Sequence, residues 1–120
     1  TLPGKQTYPG AEVIAIDAAP GGLVYGAARA AMQGQDVQFV QMCADRLDYP
    51  DASFDLVWSS MFLHELSKKQ RAAALAEAWR VLRPGGLMLH MELPPNAEMS
   101  AFDGFYLDWD SWYNEEPYYK

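Results

Sequence analysis

Glu12-Val13-Ile14-Ala15-Ile16-Asp17 is a short apolar, β-branched run that is closed by an acid. A strand with apolar side chains on both faces must be covered on both faces, as in a parallel sheet packed between helices. The segments that follow keep to that architecture. Ala18-Ala19-Pro20-Gly21-Gly22 turns the chain, and Leu23, Ala27, Ala30 and Ala31 recur at helical spacing up to Gly34. This helix is weak by composition, because Gly22 and Gly26 each cost about 1 kcal/mol against Ala, so it must lean on tertiary packing. Val37 to Met42 reads as a second strand, Phe54 to Ser59 as a third, entered through Pro50-Asp51-Ala52-Ser53, and Leu87 to Leu93 as a fourth.

The clearest helix is predicted from Lys68 to about Leu82. Ser67 and Gln70 form an S-x-x-Q capping box, while Leu75, Trp79 and Leu82 line one face. Arg80 and Arg83 sit near its negative end, and Pro84-Gly85-Gly86 stops it. Asn96 is placed to cap a last helix whose stripe is Met99, Phe102, Tyr106, Trp109 and Tyr113. That stripe reads first as core and second as the wall of a ligand pocket. Strand, helix, strand, connection, strand, helix, strand is the order that yields an α/β, Rossmann-like, mostly parallel sheet with flanking helices.

The chain of 120 residues is large enough for one core. Sixteen acidic against 9 basic residues give a net charge of -7, which repels phosphate backbones and anionic lipid; neither nucleic acid nor a membrane surface is expected as a partner. Cys43 is the one cysteine, so no internal disulfide can form, in keeping with a reducing cytoplasm. No uncharged run reaches the ~18 apolar residues that cross a bilayer, and residues 1–10 lack the basic-then-apolar order of a signal peptide.

Polar groups collect at the carboxyl ends of the expected strands, where doubly wound sheets bind ligands. Asp17 ends the first, Cys43-Ala44-Asp45 the second, Ser59-Ser60 the third and Glu92 the fourth. A carboxylate such as Asp17 suits the vicinal diol of a ribose, although a strand-ending Asp is also a common turn former. His64 has the chemistry of a general base near neutral pH, and equally that of a packing or capping residue before Ser67. His64, Glu65, His90, Glu92 and Cys43 carry ligating atoms, but none pairs at H-x-x-x-H or C-x-x-C spacing, so no metal site is assigned. Cys43 has no evident base or adjacent cation and is expected to be a half-buried, inert thiol.

These residues carry a family resemblance. Glu12 to Asp17, Val37 to Ala44, the S-F-D-L-V of Ser53 to Val57, Leu63-His64-Glu65 and the R-V-L-R-P-G-G of Arg80 to Gly86 resemble successive motifs of class I S-adenosylmethionine-dependent methyltransferases, the small-molecule branch most. The match covers about residues 10 to 95, leaving an aromatic helix and tail over 96 to 120. The resemblance implies methyl transfer from S-adenosylmethionine to a small-molecule acceptor. It implies that Asp17 holds the ribose hydroxyls and Ala18 lies beside the adenine. Ala44 would offer its amide to an adenine nitrogen, and Ser59 or Ser60 would lie near the methionine portion. Cys43 stands where the family often has an Asp that accepts from the adenine amino group, a role for which a thiol is a poor substitute.

The family's first strand and its Gly-rich turn have no counterpart in the sequence. In the family that strand is central, between those at Glu12 and Phe54, and further strands follow the fourth. The expectation is therefore an incomplete domain, the middle of one of about 200 residues or more, binding the cofactor weakly or not at all by itself. Alternatively the gap closes by direct pairing of its neighbours, or a homodimer or strand exchange completes the sheet. Two other function classes stay open. A non-catalytic methyltransferase-like interaction module that pairs obligately would run at twice 13.4 kDa. A nucleotide-binding oxidoreductase would share the strand-terminal acid but not R-V-L-R-P-G-G, and would bind NAD in competition.

Overall fold

The computed structural model describes residues 1–92, 94 and 98–113. The chain divides into two compact units, Thr1–Leu47 and Asp48–Lys120, and each holds one pair of parallel strands.

The first unit runs α1 (Leu2–Thr7), β1 (Ile14–Asp17), α2 (Pro20–Met32) and β2 (Gln38–Gln41). Ile14 lies opposite Gln38 and Asp17 opposite Gln41. Bonds from Gln38 N–H to the Val13 carbonyl and from Met42 N–H to the Asp17 carbonyl, 2.9 and 3.0 Å, carry the ladder past both ends. Parallel strands need a crossover, and α2 supplies it. It starts at Pro20, inside the segment expected to be a turn, since proline's missing N–H needs no partner in a first helical turn. Ala19 caps it without a side-chain bond. Gly26 is a point of close approach: a Cβ there would stand 2.5 Å from Cε1 of Phe39, so its absence lets α2 settle onto β2. Gly34, at φ +62°, turns the chain after the helix. α1 tolerates Pro3 in its first turn, where a missing N–H needs no partner. Lys5 Nζ then donates to the Ala11 carbonyl at 2.6 Å.

The second unit runs β3 (Phe54–Ser60), a 3₁₀ turn (Leu63–Glu65), α3 (Lys68–Val81), β4 (Leu82–Met91) and α4 (Ala101–Tyr113). The predicted capping box is present: Ser67 Oγ accepts from Gln70 N–H at 3.3 Å, and Ser67 N–H donates to Gln70 Oε1 at 3.3 Å. The buried face of α3, however, is Ala74, Ala78 and Val81. Of the stripe assigned to Leu75, Trp79 and Leu82, Leu82 is buried and Leu75 half-buried, while Trp79 is 74% exposed, which corrects its place in the stripe. Small residues let the helix axis approach β4, and Trp79 is turned about 100° away from Ala78. Arg80 also does more than face a helix end, since it binds both carboxylate oxygens of Glu77 at 2.8 Å, Asp51 Oδ1 at 2.7 Å and the Tyr49 carbonyl at 2.8 Å.

Pairing of β3 with β4 begins at Phe54 and Leu82, earlier than the strand expected from Leu87. Leu56 next meets Leu87, so Arg83 to Gly86 bulge out, with Gly85 at φ +80°. The register then runs regularly to Ser60 opposite Met91. Ser100 caps α4, its Oγ accepting from Asp103 N–H at 3.1 Å; the cap predicted at Asn96 lies outside the described residues. The aromatic stripe is not core. Phe102, Phe105, Tyr106, Trp109, Trp112 and Tyr113 are 48–77% exposed, while the buried residue, Ser111, is about 180° round the helix from Phe102. Helical spacing gathers side chains on one face without deciding what covers it.

Among the described residues β1 pairs with β2 in the first unit and β3 with β4 in the second, each pair a two-stranded sheet. The α/β class and the parallel pairing stand.

Candidate functional site

At the carboxyl end of β1, Asp17 is exposed. Its Oδ1 accepts the Ala19 N–H at 2.8 Å, so it is a turn former as well as a candidate ligand. Oδ2 accepts no hydrogen bond from the described residues. It lies above the first turn of α2, where a Cβ on Gly22 would meet it at 3.4 Å. Ala18 is held by a residue the sequence reading passed over: Gln41, last in β2, donates from Nε2 to the Ala18 carbonyl at 2.9 Å. The signal was the register, which sets Gln41 opposite Asp17. The chain leaves β2 in a turn closed by Arg46 N–H to the Cys43 carbonyl, 3.2 Å. Ala44 is half-buried, and Asp45 is turned out into solvent. Cys43 is exposed, which corrects the expected half-buried thiol, because β2 ends before it and no sheet face covers it. A groove of about 440 Å³ runs along this end, lined among others by Asp17, Gly22, Gly26, Arg29, Phe39 and Gln6.

In the second unit, Ser59 and Ser60 end β3. Ser59 Oγ lies 2.7 Å from Nδ1 of His90, its cross-strand partner, whereas Ser60 is exposed. The Nε2 of His90 is buried and without a hydrogen-bond partner. Met61 follows with φ +51°, a left-handed conformation unusual for a side chain of its kind. Beyond it the N–H groups of Phe62 and Leu63 both donate to Glu92 Oε1, at 2.9 and 2.8 Å. Glu92 Oε2 lies 2.7 Å from Nδ1 of His64, the two side chains being 22% and 11% exposed. Desolvation pushes the Glu92 carboxyl up, but the bonds from His64, Leu63 and Phe62 outweigh it and hold its pKa below the ordinary value. An ionised carboxylate only accepts, so Nδ1 of His64 carries the hydrogen. Arg71 of α3 secures the 3₁₀ turn through the carbonyls of Leu63 and Leu66, at 2.9 and 3.2 Å. The sequence placed Glu92 only at a polar strand end.

Each unit is therefore a parallel strand pair joined by a crossover helix, with polar groups at the carboxyl ends, the marks of an α/β ligand-binding domain of the doubly wound class. The family model of the methyltransferase domain matches residues 2–86. The chain is 36% identical over 91 residues to the demethylmenaquinone methyltransferase of Thermus thermophilus, covering 76% of this chain and 40% of that protein. It is 42% identical over 73 residues to the ubiquinone/menaquinone biosynthesis C-methyltransferase UbiE of Hahella chejuensis, covering 58% and 28%. The crystal structure of a SAM-dependent methyltransferase from Methanosarcina mazei superimposes with a TM-score of 0.74 at 24% identity over 88% of this chain and 53% of that one, a likeness of fold. The chain belongs to the class I S-adenosylmethionine-dependent methyltransferase family, and it spans less than half the length of the curated relatives it matches. Among the described residues no helix is long and apolar enough to cross a membrane.

The first unit fits the family's cofactor. An exposed carboxylate with one oxygen unengaged among the described residues can accept from a ribose hydroxyl, and the adjoining Ala18 carbonyl accepts from Gln41 Nε2.

Proposed function

We propose that the intact protein transfers a methyl group from S-adenosylmethionine to a small-molecule acceptor, and that residues 1–120 are part of a single methyltransferase domain. Asp17 binds the ribose, Ala18, Cys43 and Ala44 border the adenine, and Ser59 and Ser60 lie by the methionine portion. When bound, the cofactor supplies a methyl group already activated on a sulfonium, so the protein's task is chiefly alignment. His64, held by Glu92, receives the proton the acceptor loses. The names of the relatives support an acceptor from menaquinone or ubiquinone biosynthesis, and the acidic balance of the chain supports one that is neutral or cationic. A cytoplasmic location is in keeping with the lone thiol.

The observation that most supports this reading is the unengaged Oδ2 of Asp17 at the end of β1. Calorimetric titration of the intact protein with S-adenosylhomocysteine tests it. Asp17→Ala should weaken binding about 10- to 100-fold, the loss of a hydrogen bond to a charged group. An unchanged Kd would remove Asp17 from the site. A second reading, a sheet completed by a partner strand or by a second copy, is favoured by the second edges of β1 and β3, which pair with no strand among the described residues.

A further inference from the structure

α4 is turned with its smaller residues inward. Ser111 is buried and Gly104 and Leu107 are half-buried, whereas Phe102, Phe105, Tyr106, Trp109, Trp112 and Tyr113 stand 48–77% exposed on the other side. At 100° per residue the six rings fall within an arc of about 120°, with Asp103, Asp108 and Asp110 on its flanks. They recur three and four residues apart, the spacing of a seam between two helices. Along that seam Tyr106, Trp109 and Tyr113 lie side by side, their ring centroids 6.1 and 4.8 Å apart.

The size of the face narrows what can cover it. Aromatic side chains bury roughly 150–250 Å² each, so at these exposures the six leave on the order of 600–900 Å² open to water. The largest apolar patch of a monomer is usually about 300–600 Å², and each partner in a standard interface contributes about 800 Å². A small ligand is held in a concavity that covers most of its surface, which a convex helix face about 20 Å long does not offer. A basic partner would need carboxylates free to receive it. Asp103 already accepts from Ser100 Oγ at 2.6 Å, and Asp108 and Asp110 are likewise engaged within the chain.

We propose that this face pairs with the same face of a second copy of the protein, an isologous dimer closed across α4. Ring meets ring at its centre, and the aspartates remain at its rim. Trp and Tyr, which dominate the binding energy of interfaces, supply four of the six side chains. The pairing does not depend on the methyltransferase reading, and it uses a different surface from the strand edges.

Sedimentation velocity of the intact protein tests it. At about 50 μM the wild type should run at twice its monomer mass. The dimer should tighten between about 50 and 500 mM NaCl, because the copies carry like charge, -7 over these residues, which salt screens without weakening the aromatic contact. Trp109→Glu sets a carboxylate from each copy into the seam and should raise the dimer Kd about 100-fold or more. Phe102→Glu, at the start of the stripe and 74% exposed, should raise it too, so the result does not hang on the folding of one variant. Trp79→Glu is the control: that ring is equally exposed but lies on α3, and the Kd should stay within about twofold.

A wild type that stays monomeric at about 50 μM overturns the proposal and gives the face to another occupant. A dimer left intact by both Trp109→Glu and Phe102→Glu overturns it as well, moving the pairing to a surface such as the strand edges. So does a dimer that salt loosens, since opposite charges rather than rings would then hold it.

Discussion

Gly26 shows how a residue changes meaning between sequence and fold. As a letter in a helix it is a defect of about 1 kcal/mol against Ala. In the structure it is the spot where the ring of Phe39 reaches α2, with no room for a Cβ at 2.5 Å. Gly26→Ala should therefore lower stability by roughly 1 kcal/mol, overpacking outweighing the propensity gain. Chemical denaturation reads this, and in a double-mutant cycle Phe39→Leu should relieve most of the loss. A stabilised Gly26→Ala would show that Phe39 moves aside freely. Asp17 was legible because a strand-terminal acid announces itself within six residues. The bond between His64 and Glu92 was not, for those residues are 28 apart and only the pairing of β3 with β4 brings them together.

Among elements, α3 divides what is local from what is not. Its start was legible, since Ser67 and Gln70 satisfy each other over three positions and need nothing beyond the helix itself. Its buried face was not, because the apolar pattern fits two neighbouring rotations and the choice falls to β4. β4 takes the rotation that presents Ala74, Ala78 and Val81 and leaves Trp79 in solvent. Trp79→Gln should thus shift stability by no more than about 0.5 kcal/mol, whereas Ala78→Leu should cost about 1–3 kcal/mol. Thermal melts of the two variants, read side by side, check the rotation; the reverse order would restore the face expected from the sequence. The bulge at Arg83 to Gly86 has the same lesson, since Pro84-Gly85-Gly86 announces a turn but not that pairing has already begun at Leu82.

For the folded molecule as a whole, the partly buried Glu92 makes stability depend on pH with a definite sign. Its folded pKa is depressed, so its contribution is complete above the unfolded value of about 4.3 and is lost as the pH falls through the lower folded value. The stability difference between wild type and Glu92→Gln should accordingly be present at about pH 7 and shrink toward zero at about pH 3. Denaturant titrations at the two pH values check it, and a difference that grows on acidification would reverse the sign assigned to this group.

What the sequence determined by itself was whatever is written in contiguous residues. That includes three strands to within two positions and the presence of the fourth, the capping box, the α/β class and the family motifs with a carboxylate at Asp17. The tertiary structure decided which faces are buried, that the aromatics of α4 stand exposed, and that Glu92, two backbone amides and His64 form one bonded group. The physical reason is common to all three. Backbone propensity and capping act over a few residues, while burial and side-chain pairing depend on partners that only strand pairing and helix packing bring within reach.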